Sequence, residues 1–120
     1  MPMTITLDSR LVGHVLVVTP RRTVSSLAGD DLQAELSAIL DRIAQPDVQA
    51  IVLDFGQTEY FSSMMLESLR RFDTKARAAD VRMALCNVPA VGRETLRITH
   101  FDTLWPIFDS LEEAIRSTES

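Results

Sequence analysis

Ile51-Val-Leu-Asp54-Phe-Gly-Gln-Thr-Glu-Tyr-Phe61-Ser62-Ser63-Met-Met-Leu-Glu-Ser-Leu69 decides the fold. The stretch begins as an unbroken apolar run, turns through a polar corner, and ends on two serines that open a segment of helical period. An apolar run without alternation marks a strand covered by helices, because a strand half in water alternates. A strand that delivers the chain to a helix N-terminus makes a natural anion site, since the first backbone N–H groups of the helix have no partner within it. Ser62 and Ser63 stand at that point. Serine is also among the preferred N-cap residues, contributing roughly 0.5–2 kcal/mol relative to alanine. One of the two is therefore read as a simple cap.

Outward from this stretch, the pattern alternates between strand and helix. Downstream, Met65, Leu69, Phe72 and Ala76 form one stripe, while Arg70, Arg71, Asp73, Lys75 and Arg77 can stay in water. Val81-Arg-Met-Ala-Leu-Cys-Asn-Val88 reads as a further strand. Pro89 then reads as the first residue of a short helix carrying Val91, Leu96 and Ile98. Leu104-Trp-Pro-Ile-Phe108 reads as a short strand, at a sheet edge because of Pro106. Ser110-Leu-Glu-Glu113 fits a capping box for a last helix with Leu111, Ala114 and Ile115 inward.

Upstream, Leu32, Leu36, Ile39, Leu40 and Ile43 fall on one helical stripe, which Gln45-Pro46-Asp47 ends. Thr4-Ile5-Thr6-Leu7 and His14-Val-Leu-Val-Val-Thr19 read as two antiparallel strands joined through turn residues 8–13, with Pro20 ending the second. Arg21-Arg-Thr-Val-Ser-Ser26 reads as a polar loop. The order is β-β-α-β-α-β-α-β-α, an α/β fold with a mostly parallel sheet of about five strands and four helices. Residues 1–120 read as one domain, long enough to bury a core without staples.

Composition narrows the function. A net charge of -5, with eleven Arg and one Lys scattered along the chain, gives no nucleic-acid footprint. Cys86 is alone, so it forms no internal disulfide, and with His14 and His100 it cannot assemble a zinc cluster. The first residues, Met-Pro-Met-Thr-Ile-Thr, lack a signal pattern, and no apolar run approaches a membrane span. The expectation is a cytoplasmic protein without cofactor, metal or membrane insertion. No Gly-rich phosphate loop or catalytic triad spacing is present, so no enzyme activity is expected.

The element order, with the residues at its centre, resembles the STAS domain of stand-alone anti-sigma factor antagonists and sulphate-transporter tails. The likeness spans about residues 5 to 115 and rests on three stretches. Ala50-Ile-Val-Leu-Asp54-Phe-Gly-Gln-Thr-Glu-Tyr-Phe61 is similar to the family's strand and apolar corner, and Arg82-Met-Ala-Leu-Cys-Asn-Val88 to the strand before its third helix. Leu96-Arg-Ile-Thr-His-Phe-Asp-Thr-Leu-Trp-Pro-Ile-Phe-Asp-Ser-Leu-Glu-Glu-Ala114 is similar to its closing segment. Lining up Phe61 with the apolar residue of the family's central motif puts Ser63 at the phosphorylatable serine. Ser62 then stands where the family has Asp, Met65 where it has Gly, and His100 where it usually has Gly.

The resemblance implies a signalling module that binds an anti-sigma factor with serine kinase activity and is phosphorylated at Ser63, with Ser62 as the second choice. It implies a partner-binding face at Ser62, Ser63 and Met64, with Arg21 and Arg22 nearby. Met65 would add bulk where a kinase approaches. Without an acid at position 62, a second reading stays open: a phosphorylation-independent binding subunit or scaffold of a transporter or signalling assembly. The remaining candidates read as structural. Asp54 is expected to cap the turn after its strand, Cys86 to be inert core, and His14 and His100 to be isolated.

Overall fold

The strand that the opening stretch predicts is β3 (Ala50–Asp54), the middle member of a five-stranded sheet. The structure, a computed structural model, describes residues 3–24, 30–57 and 63–118, with the backbone alone for residues 3–6, 22–24, 30–33, 63 and 64. Around β3 the chain runs β1 (Met3–Val12), β2 (Val15–Val24), α1 (Asp30–Ile43), then α2 (Ser63–Ala78) and β4 (Arg82–Cys86). It continues through α3 (Ala90–Ile98), a 3-10 turn (Phe101–Thr103), β5 (Ile107–Phe108) and α4 (Leu111–Thr118). The strands lie in sequence order, β1 against β2 antiparallel and the other three pairings parallel. This is the α/β architecture that the alternation of periods predicts.

Strand side chains alternate between two faces, and the two faces are unequal. Leu16, Val18, Ile51, Leu53, Met83 and Leu85 point to one side and meet the inward stripes of α1 and α2. Leu36, Ile39 and Ile43 come from α1; Met65, Leu69, Phe72 and Ala76 come from α2. Leu96 of α3 and Trp105 close the same core. On the other side Val15, Val17, Ala50, Val52, Ala84 and Cys86 form a shallower layer beneath Ala114, with Leu111 and Ile115 of α4 beside it. Small residues line the face that one eight-residue helix covers, and large ones the face that two long helices cover.

The first hairpin is longer than its sequence suggests. Strand pairing runs from Met3 opposite Val24 to Val12 opposite Val15, so Asp8, Ser9 and Arg10 belong to β1 and only Gly13 and His14 form the turn. Gly13 takes a positive φ of 61°, which a two-residue connection favours and glycine adopts without strain. Pro20 does not end β2, and Arg21 to Val24 are strand where a polar loop was expected. The register explains the tolerance. Leu7 stands opposite Pro20, and its N–H donates outward to Glu35 Oε2 at 2.8 Å. A residue whose N–H points away from the partner strand belongs to a non-hydrogen-bonded pair, so the β1 ladder requires no N–H from Pro20. β3 requires none either, because its pairing with β2 ends at Val18 opposite Leu53.

The segment after α3 also differs from expectation. Leu104 is exposed and Trp105 buried, and only Ile107 and Phe108 pair as strand, at the sheet edge where Pro106 pointed. Trp105 Nε1–H donates to Asp73 Oδ1 at 2.9 Å, and its ring meets Phe101 edge-on with centroids 5.7 Å apart. Of the three apolar residues that the sequence placed on α3, Leu96 is buried and Val91 and Ile98 are exposed. α4 begins as predicted, with the Glu113 N–H donating to Ser110 Oγ at 3.2 Å.

Candidate partner-binding corner

β3 and β4 end together, and a cluster of hydrogen bonds fixes how the chain leaves them. Asp54 Oδ1 accepts from the Gly56 N–H at 2.9 Å, closing an Asx turn, and from Asn87 Nδ2 at 3.0 Å. The Phe55 N–H donates to the Cys86 carbonyl at 3.0 Å, and Phe55 is buried beneath the turn. Gly56 allows this closeness, since a Cβ there would lie 3.1 Å from Asp54 Oδ1. Asn87 holds a positive φ of 55°, a region where Asn is tolerated better than most residues. Asp54 is thus the turn cap that the sequence suggested. Asn87 was not singled out; an Asn directly after a strand was the available signal.

Beyond this brace, Ser63 is the first helical residue of α2. Helix α2 is held by the burial of Met65, Leu69, Phe72 and Ala76, so the N-terminal turn is set by the core beneath it. That first turn carries no carboxylate, which leaves the positive end of the helix dipole unopposed by α2 itself. Met65 is only 4% exposed and fills the core. Its bulk therefore points away from any approaching partner, which corrects the obstruction expected of it. Met64 is the second residue of α2, but its side chain lies outside the described residues, as does Ser62 altogether.

Arg21 and Arg22 lie on β2, not on a loop. β2 continues to Val24, six residues beyond its last β3-paired residue, Val18, and so extends past the C-terminal end of β3. Arg21 is about 10 Å along β2 from Val18, at roughly 3.3 Å per residue. Its Nε binds Asp8 Oδ2 at 2.9 Å across the hairpin, with both side chains more than half exposed. Arg22 stands opposite Ile5, and its side chain lies outside the described residues.

The remaining candidates are structural. Cys86 is buried, and its thiol is pushed up to about 12, first by burial, then by the charge of Asp54 and a hydrogen bond to it. Such a thiol is not a nucleophile at neutral pH. His14 is exposed, its Nδ1 3.1 Å from the Asp47 carbonyl oxygen. His100 is exposed at a φ of 64°, and a left-handed backbone is what a glycine would supply at that position. Among the described residues no three His, Cys, Asp or Glu side chains form a metal site, and no helix is long and apolar enough to cross a membrane.

A family model for the STAS domain matches residues 7–114. BtrV of Bordetella bronchiseptica, a protein named as an anti-sigma factor antagonist, is 28% identical over 112 residues, covering 93% of this chain and 91% of its own. A STAS domain protein from Planctomyces limnophilus superposes with a TM-score of 0.78 at 22% identity, over 96% of this chain and 99% of that one. SpoIIAA of Bacillus in its phosphorylated form gives a TM-score of 0.68 at 18% identity, over 95% of this chain and 98% of that one. Its unphosphorylated form gives 0.74 at 17%, over 97% and 96%.

Proposed function

The chain belongs to the STAS domain family, and from that membership we propose that it is an anti-sigma factor antagonist, switched by phosphorylation at Ser63. In this reading residues 1–120 act as one cytoplasmic binding module, without catalysis of their own. The partner is an anti-sigma factor with serine kinase activity. The observation that carries the reading is the position of Ser63, the first residue of α2, the helix that follows the central strand β3. BtrV and SpoIIAA support it by their names.

The physical logic is electrostatic. Unmodified, the N-terminal turn of α2 offers a partner hydroxyl and backbone N–H groups. A phosphate adds roughly -1.5 to -2 charges. The helix tolerates that charge, since its first turn holds no carboxylate. An acidic or apolar partner surface does not, so the complex separates while the domain keeps its fold. Arg21 and Arg22 would flank this interface, with Met64 as a soft apolar contact.

One feature favours the second reading. Ser62 stands where the family carries Asp, so no carboxylate at that position helps to orient the Ser63 hydroxyl toward a kinase. A phosphorylation-independent subunit or scaffold would need no such acid. The two readings separate in one experiment: incubation with kinase-type anti-sigma factors of the same genome and ATP, followed by mass-spectrometric mapping. Phosphate on Ser63 that is lost in Ser63→Ala, with Ser63→Glu unable to hold the partner, is the expected result. A tight complex indifferent to both substitutions would exclude the switch and establish the scaffold.

A further inference from the structure

The helical face of the sheet carries an open groove between α1 and α2, with a volume of about 900 Å³. Its apolar lining is Leu40 from α1, Leu66 and Ala78 from α2, and Phe101. Leu66 to Ala78 is a run of thirteen residues of α2, whose twelve steps rise about 18 Å at 1.5 Å each. Phe101 is half-buried and held in place, because its edge-on partner Trp105 is hydrogen-bonded to Asp73 of α2. The groove therefore comes with a fixed aromatic anchor, which lowers the ordering cost of binding.

Its charge is as informative as its shape. Four of the chain's twelve basic residues, Arg70, Arg71, Lys75 and Arg77, fall within one eight-residue run of α2. Arg77 is engaged by Asp73. Arg70, Arg71 and Lys75 line the groove, and Arg70 and Lys75 have no ion-pair partner among the described residues, where Arg21, Arg42, Arg93 and Arg97 each have one. Asp41 and Glu67 also line it, so the cations outnumber the acids in a chain whose net charge is -5. An unpaired cation beside an apolar floor is an arrangement that an acidic amphipathic ligand completes. The walls, with Ser37, Thr74 and five charged residues, are too polar for an acyl chain. A helix of about three turns, apolar on one side and acidic along its flank, matches the length, the floor and the α2 wall.

We propose that the α1–α2 groove docks an acidic amphipathic helix of a partner protein, with carboxylates meeting Arg70 and Lys75 and apolar anchors meeting Leu40, Leu66 and Phe101. The groove begins at Leu66, about one turn of α2 beyond Ser63, and the proposal does not require that Ser63 be modified. The test uses the full chain, labelled with nitrogen-15, and three probes. One is a synthetic fifteen-residue helical peptide with Leu on one face and Glu on the flanks, one the same peptide with Lys for Glu, and one dodecanoate. The Glu peptide is expected to shift the amides of residues 37–41, 66–78 and 101 saturably, and the Lys peptide to leave them unmoved. Affinity is expected to fall by about tenfold in Arg70→Glu/Lys75→Glu. It should also fall in Ala78→Trp, which fills the groove from an exposed position without adding charge. Equal binding of the two peptides, no binding of either, or binding of dodecanoate in place of the Glu peptide would each overturn the proposal.

Discussion

Asp54 acts through what it accepts, and its effect reaches Cys86. The carboxylate binds the Gly56 N–H and the Asn87 amide; burial first, and then this carboxylate, push the neighbouring thiol up to about 12 from an ordinary 9.0. The folded state therefore keeps the Cys86 proton to higher pH than the unfolded chain does. The associated stability is intact below about pH 9 and is lost as pH rises from 9 toward 12. The urea midpoint is expected to fall more steeply above pH 9 in the native protein than in Cys86→Ala; parallel pH profiles would show that the thiol does not contribute. At this scale the sequence is readable where a residue's own chemistry decides its role. Asp54 at a strand end announces a turn cap. The positive φ of His100 and Asn87 is only hinted at by residue type, because that angle comes from where α3 and β4 must turn.

At the scale of elements, the clearest joint is the one between α2 and the segment after α3. Asp73 accepts from Arg77 within the helix and from Trp105 Nε1 across 32 residues of sequence. This bond, with Trp105 buried at 4% exposure, docks a connection that has little regular structure of its own. Trp105→Phe is expected to lower stability by about 2 kcal/mol, from the lost bond to a charged acceptor and the lost volume. Hydrogen exchange at the Leu104 amide, which bonds Phe101 O, should quicken at the same time. Asp73→Asn, which retains an acceptor oxygen, should disturb it less. Equal protection in Trp105→Phe and the native protein would show that the segment holds without this joint.

The elements also show which sequence signals carry. Helices α1 and α2 were legible because their inward stripes have one period and one face, as Leu36, Ile39, Ile43 and Met65, Leu69, Phe72, Ala76 do. β1 was half missed. Asp8, Ser9 and Arg10 read as turn, yet on an edge strand with an exposed outer side polar residues are ordinary. Whether Pro20 ends or continues β2 depends on register, which no single strand contains.

For the whole molecule, the unequal faces matter most. Ala114 is fully buried in the middle of the only helix that covers the small-residue side among the described residues. Ala114→Asp would place a charge there without a partner, and a loss of about 3 kcal/mol or more is expected. Far-UV circular dichroism with urea unfolding checks this, and a variant as stable as the native protein would show that α4 can lift away. The step from β3 to α2 was legible from the sequence because it lies on one contiguous stretch. The groove was not, because residues 37–41, 66–78 and 101 meet only once the sheet has stacked α1 beside α2.

The arrangement of α4 has a consequence for how the chain matures. Strands β1 to β4 are complete by Cys86, and one side of their sheet can be clothed as soon as α1 and α2 exist. The other side must wait for residues 111–118, which come after every strand. Among the described residues, Val15, Val17, Ala50 and Val52 therefore stay bare until α4 is made. A chain released without residues 111–118 would present a half-clad sheet to chaperones, and α4 is the element that withdraws it.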